Sequence, residues 1–176
     1  VTPELRGLGT LAGGCKWNKQ QQARIKKSNA ECVSTVTAEY IVQKVVALYN
    51  AGKIPYRVDS AVNLGRMVAA TAMKESTFKT CVMNSCSTAR GLLQILEGTQ
   101  RAIEKMLGLK NIPFEKIYEP DYAILLGATY LAYQYKRYGD WWKASHAYMQ
   151  GNYNAKRPSK DGNAYANAVA ANLKKL

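Results

Sequence analysis

Residues 120–138, PDYAILLGATYLAYQYKRY, are apolar on nearly every side when wound into a helix, with charge confined to Asp121 at the start and Lys136 and Arg137 at the end. Such a segment is stable only where other elements enclose it. Interrupted by Gln134 and by tyrosines, it falls short of the roughly 20 apolar residues needed to cross a bilayer, so its expected place is the middle of a core. A chain of 176 residues can bury a core of that kind in one domain, and 47% hydrophobic with 21% charged residues is a globular balance. No repeat, linker or shift of composition marks a boundary. The expectation is a single, mainly α domain over residues 1–176 around a central buried helix.

Other helices are legible on either side. Residues 1–35 read as an irregular arm with one short helix at most. From Thr37 a stripe of Ala38, Ile41, Val42, Val45, Leu48 and Tyr49 recurs at three and four, with Gly52 as the stop. Asp59 is the expected N-cap of a helix whose stripe is Val62, Met67, Ala70 and Met73. Residues 77–92, rich in Cys, Asn, Ser, Thr and Gly, read as a loop that can hold a short hairpin. Thr99 is the expected cap of a helix through Leu107, ended by Gly108. WWKASHAYMQ, closed by Gly151, and GNAYANAVAANLKKL complete the set.

Charge is lopsided, with 25 Lys and Arg against 12 Asp and Glu, and the basic residues are scattered. Such a surface is drawn to polyanions in general. No zinc-finger, RNP or basic-zipper pattern accompanies it, so a nucleic-acid reading rests on charge alone. The four cysteines at 15, 32, 81 and 86 contain no CxxC, and the single His146 lies far from them, which disfavours a zinc site. They form either two disulfides or buried thiols; of three connectivities, Cys15–Cys32 with Cys81–Cys86 is the simplest.

There is no G-x-S-x-G elbow, P-loop or H-E-x-x-H. With one histidine, in a Trp- and Tyr-rich helix where packing is its ordinary role, chemistry falls to carboxylates and aromatics. Glu75 stands between the apolar helix ending in MKES and the Ser/Thr/Cys loop, and GLLQI follows. A carboxylate at a helix C-terminus sits badly with the macrodipole, as a solvated end or as an acid tuned for proton transfer. Nine of the twelve tyrosines lie between Tyr118 and Tyr165. Tyr130, Tyr133 and Trp142 read as core, Tyr148 and Tyr165 as cleft residues that can face sugars.

Together these motifs resemble the soluble lytic transglycosylases, glycosidases that cut bacterial peptidoglycan. In that family a helix ends in Glu-Ser with a nearby aromatic. A Ser- and Gly-containing loop, Gly-Leu-Met-Gln-Ile and a Thr-capped helix follow. Here Glu75, Ser76, Phe78, Ser85, Gly91, Leu92, Leu93, Gln94, Ile95 and Thr99 hold those places. AILLGATYL matches the family's Gly-x-x-Tyr-Leu helix through Gly127, Tyr130 and Leu131. AYMQG resembles Ala-Tyr-Asn-x-Gly, with Met149 in place of Asn, and Tyr165 stands where a late cleft tyrosine is expected. Thr80 replaces Pro, and Leu96 and Glu97 replace a Met/Thr-Pro step. The likeness covers about residues 60–170; residues 1–55 match nothing in it.

The resemblance implies a lysozyme-like fold in a divergent member of the family, of the kind found in phage cell-wall lysins. It also implies cleavage of the β-1,4 bond between MurNAc and GlcNAc. Glu75 would be the catalytic acid and base, giving 1,6-anhydroMurNAc ends without a second carboxylate. Ser85, Gly91, Gln94, Tyr148 and Tyr165 would bind substrate, with no metal or cofactor. The expected partners are glycan strands and an anionic bacterial envelope, met by a monomer with no transmembrane segment and no role for nucleic acid. The start, VTPELRGLGTLAGGCKW, has no apolar h-region, so action in the periplasm or outside the cell implies phage delivery or earlier processing. Two rival readings are hydrolysis of the same bond, as in goose-type lysozyme, and a non-catalytic cationic module that binds the wall.

Overall fold

The computed structural model describes residues 15–176. Among these are seven α-helices and no sheet: α1 (Lys19–Glu31), α2 (Ala38–Asn50), α3 (Ala61–Ser76), α4 (Glu97–Met106), α5 (Pro120–Tyr138), α6 (Trp141–Gln150) and α7 (Lys160–Leu173). A 3-10 helix, Phe114–Tyr118, leads into α5. None of the described helices is long and apolar enough to cross a membrane.

α5 is the central helix, as its composition requires. Pro120 opens it, where a missing N–H is no loss. From Tyr122 to Gln134 nearly every side chain is buried. It touches α2, α3, α4, α6 and the 3-10 helix. α3, whose Ala69, Ala70 and Ala72 are small and fully buried, lies between α2, α5 and α7. Gly127 lets one contact come unusually close: a Cβ built there would lie 2.1 Å from Leu93 Cδ1, so the glycine is the socket into which the GLLQI turn is pressed.

Three caps fall elsewhere than expected. α3 is capped by Ser60, whose Oγ accepts from the Asn63 N–H; Asp59 stands one residue earlier and accepts from Ser60 N, Asn63 Nδ2 and Trp141 Nε1. α4 begins at Glu97 rather than after Thr99, which is buried inside its first turn. No side chain at Leu96 caps it; instead Thr88 Oγ1, across the loop, accepts the Glu97 N–H. A tertiary partner has replaced the local one, which is why the expected Thr cap is not used. At the other end α4 stops at Met106, with Leu107 as its C-cap.

Residues 77–92 form a loop with isolated antiparallel bridges, Met83–Arg90 and Arg90–Ile95, and no hairpin strand pair. Residues 1–14 of the expected irregular arm lie outside the described residues. The rest of that arm holds α1, which has no buried side chain. A helix polar all round needs support from outside itself, and here it comes from the loop. Trp17 Nε1 donates to the Ser87 carbonyl, Asn29 exchanges two hydrogen bonds with the Met83 backbone, and Thr80 Oγ1 donates to Ser34 Oγ. Two disulfides complete it, Cys15–Cys86 and Cys32–Cys81. Two disulfides were one of the expected states, but the local pairing is wrong. α1 separates Cys15 from Cys32 by a rod of about 20 Å, far beyond the Cα separation a disulfide tolerates. Each therefore meets the loop cysteine at its own end of α1.

Candidate active site

α3 carries Glu75 one residue from its C-terminus. Beyond Ser76 the chain turns sharply through two consecutive non-glycine residues with left-handed backbone, Thr77 (φ 51°) and Phe78 (φ 65°). Such conformations cost on the order of 1–3 kcal/mol each and persist only where the surroundings hold them. Here the Thr77 N–H reaches Met73 O, Phe78 O accepts from Val36 N, and Lys79 N returns to Ser76 O. Ser76 Oγ lies 2.6 Å from the Leu92 carbonyl, tying the helix end to GLLQI. Nothing in the local sequence announces the left-handed pair, and the Glu-Ser dipeptide is the nearest signal for Ser76.

Glu75 is half-buried, and Tyr165 Oη donates to its Oε2 at 2.9 Å. Burial among apolar atoms raises its pKa from 4.5 to about 7, against the pull of the Tyr165 hydrogen bond and of Lys74. Behind it runs a row of phenol rings. Tyr165 and Tyr148 lie nearly parallel with centroids 6.5 Å apart, Tyr148 meets Tyr130 at 5.1 Å, and Tyr130 stacks on Tyr133 at 6.5 Å. Tyr130 and Tyr133 are core, as expected; Trp142 is half-buried, its Nε1 donating to Asn167 Oδ1. Burial and the nearby Glu75 carboxylate push the Tyr148 and Tyr165 phenols well above 10, so both remain hydroxyl donors.

The other expected site residues are brought together unevenly. Tyr148 does not bond Glu75; its hydroxyl donates to the Leu93 carbonyl at 3.0 Å. Gln94 (φ 49°) donates from Nε2 to Val82 O and Gly91 O, so its amide holds the turn together. Gly91 (φ 81°) donates its N–H to Val82 O, and a Cβ there would lie 2.7 Å from Ile117 O; only glycine combines that backbone with that approach. Ser85 is half-buried in the loop and makes no bond to Glu75. Met149 is half-buried against the core, its Sδ accepting from Gln150 Nε2. His146 is a packed residue, 2% exposed between Trp142 and Tyr153.

A second buried carboxylate, Glu104, was not singled out by its sequence context. Its oxygens accept from Tyr122 Oη, Gln100 Nε2 and Arg101 Nη1. A carboxylate so fully engaged is a structural group. Glu75, with one hydroxyl partner and an open side, keeps an oxygen for a ligand and a pKa poised for giving and taking a proton near neutrality.

Comparison with known proteins follows the same outline. Residues 58–170, more than half the chain, match the family described as the transglycosylase SLT domain. Two solved structures are similar in fold. One is an inactive mutant of lytic transglycosylase Slt from Pseudomonas aeruginosa, at TM-score 0.56 and 18% identity, covering 77% of this chain and 27% of that one. The other is the 70 kDa soluble lytic transglycosylase from Escherichia coli, at TM-score 0.60 and 21% identity, covering 74% and 23%. The chain spans about a quarter of the length of either. No curated protein matches it.

Proposed function

The chain belongs to the transglycosylase SLT domain family, and from that membership we propose that it cleaves the β-1,4 bond between MurNAc and GlcNAc in peptidoglycan, with Glu75 as sole acid and base. The observation that carries this reading is a carboxyl at the end of α3 whose pKa is about 7, bonded by Tyr165 and acted on by one charged neighbour, Lys74, among the described residues. Ordinary glycosidases set two carboxylates at a defined separation. With one, the same group has to act twice. Protonated Glu75 gives its proton to the glycosidic oxygen as the bond to C1 breaks. The resulting carboxylate takes the proton of the MurNAc 6-hydroxyl as that oxygen closes on C1. The sugar leaves as the 1,6-anhydro form, no water is consumed, and Glu75 ends as it began.

Tyr165 orients the carboxyl through its Oε2. Tyr148 holds the GLLQI turn through the Leu93 carbonyl, and Gly91 and Gln94 fix the shape of the loop that presents Ser85 to the sugars. The decisive experiment is mass spectrometry of muropeptides released from purified sacculi, with rates followed across pH. Anhydro-MurNAc ends are the expected product, and the rate falls as pH rises through about 7, where Glu75 loses the proton it must donate. Tyr165→Phe moves that limb to higher pH, because it removes a bond that favours the carboxylate. Reducing MurNAc ends alone would make the enzyme a hydrolase, and no cleavage at all would leave a wall-binding module.

Binding to the wall also draws on charge. α1 turns Gln22, Ile25 and Asn29 inward and leaves Lys19, Arg24, Lys26 and Lys27 exposed, none in an ion pair among the described residues. Affinity for whole sacculi therefore weakens steeply as salt rises, since exposed charges are screened within about 10 Å at 0.1 M. Salt-independent binding would assign recognition to the cleft alone.

A further inference from the structure

Away from Glu75, the C-terminal end of α5, the first turn of α6 and the loop after Gly151 enclose an open cavity of about 560 Å³. Arg137, Tyr138, Lys143, Asn152, Tyr153 and Asn154 line it. Arg137 is fixed in place: Nη1 donates to Gln134 Oε1 and to the Gly151 carbonyl, each at 2.9 Å, and the guanidinium lies 4.8 Å from the Tyr138 ring centroid. Lys143 Nζ sits 5.7 Å from the Tyr153 ring centroid. Both cations are half-buried, and no carboxylate pairs with either among the described residues. The acid nearest in sequence, Asp140, caps α6 by accepting the Lys143 backbone N–H at 2.8 Å. Two positioned cations facing a concave surface without a counter-ion concentrate anions there.

The neutral lining narrows the choice of anion. Asn152 carries an amide that both donates and accepts, and Asn154, whose Oδ1 accepts from Lys156 N, keeps its Nδ2 to donate; together they complement the alternating C=O and N–H of a peptide. A phosphodiester linkage offers acceptors only. The Tyr138 hydroxyl already accepts from the Tyr153 N–H at 2.9 Å, so its own hydrogen is left to donate. Arg137 anchors on Gly151, the C-cap of α6, and Tyr148 stands one helical turn before it. The cavity thus adjoins the helix that places a tyrosine behind the catalytic carboxyl. From this arrangement we infer that the cavity binds the free carboxylate of a short peptide, the stem peptide carried by MurNAc, with Lys143 and Arg137 on the carboxylate and the Asn side chains on the amides. The inference rests on the peptidoglycan reading for the source of the peptide.

Lys143 is the side chain to change, because Arg137 also holds Gly151. The full chain is titrated with N-acetyl-D-alanyl-D-alanine and with its C-terminal amide, following the backbone amide signals of residues 152–154 by NMR. The free acid binds and shifts those signals, and the amide binds about tenfold more weakly, the loss expected when a charge-assisted hydrogen bond is removed. Lys143→Gln weakens binding of the acid by about tenfold and leaves that of the amide unchanged. Equal binding of acid and amide, full affinity in Lys143→Gln, or no shift at residues 152–154 overturns the site. The probe has no glycosidic bond. Peptide binding in a chain that cleaves no glycan would therefore count against the proposed function alone, and cleavage without peptide binding against this cavity alone.

Discussion

Glu75→Gln reduces the release of muropeptides by at least ~10²–10⁴-fold, the range expected for a positioned general acid, and the loss lies toward the upper end because in the proposed reaction the same group acts in both proton transfers. Glutamine keeps the shape and can still accept from Tyr165 Oη, but it has no proton to give. Glu97→Gln leaves most activity: that carboxylate sits in the first turn of α4, half-buried and without a bond to Glu75. Stability responds in the opposite sense to activity. Between pH 4.5 and about 7 the native state holds a proton at Glu75 that the unfolded chain has released. This group's contribution therefore falls as pH rises through that window and stays low above it. Glu75→Gln escapes the cost, so it matches wild type below pH 4.5 and exceeds it above pH 7, by at most about 3 kcal/mol. Urea melts at the two ends of the window measure the difference. Wild-type turnover in Glu75→Gln, or a folded but inactive Glu97→Gln, would remove Glu75 from the mechanism.

The second large effect comes from the cysteines. Cys15–Cys86 spans 71 residues and encloses Cys32–Cys81, which spans 49. Because one ring lies within the other, removing either bond leaves part of the constraint. Serine replacement of one pair costs roughly 3 kcal/mol in the chain-entropy account, and replacement of both roughly 7 kcal/mol, a large share of the stability of an ordinary domain. The local consequence is sharper than the global one. α1 buries no side chain, so without its staples its amides exchange quickly, and those of the loop carrying Ser85 follow. Hydrogen exchange and urea midpoints on the double-pair variant test both statements. An unchanged midpoint with α1 still protected would show that Trp17 and Asn29 suffice to hold the arm.

Features that follow from side-chain periodicity and composition were legible in the sequence: the all-round apolar α5, the stripe of α2, and the delivery of Glu75 by the end of α3. Caps were less so. Asp59 and Ser60 are both good capping residues, and the choice between them turns on a contact 82 residues away, from Trp141 to Asp59. At α4 the partner, Thr88, belongs to a loop whose shape depends on Gly91 and Ile117. The left-handed Thr77 and Phe78 are held by Val36 and by α3 itself, and neither residue type favours such backbone. The cysteine pairing was not accessible, since it is the length of α1, 13 residues filling nearly the whole gap between Cys15 and Cys32, that forbids the local bridge.

That pairing bears on how the chain is made. Synthesis releases the polypeptide from its N-terminus, so Cys15 and Cys32 emerge together, long before their native partners at 86 and 81. The next two to appear, Cys81 and Cys86, are again neighbours that do not belong to one another. In an oxidising compartment each encounter in order of appearance joins the wrong sulfurs, and correct maturation depends either on α1 forming early enough to keep its two ends apart or on thiol–disulfide exchange to undo what was made first. Where α1 forms late, yield from an export system tracks its isomerase capacity more closely than its oxidising strength.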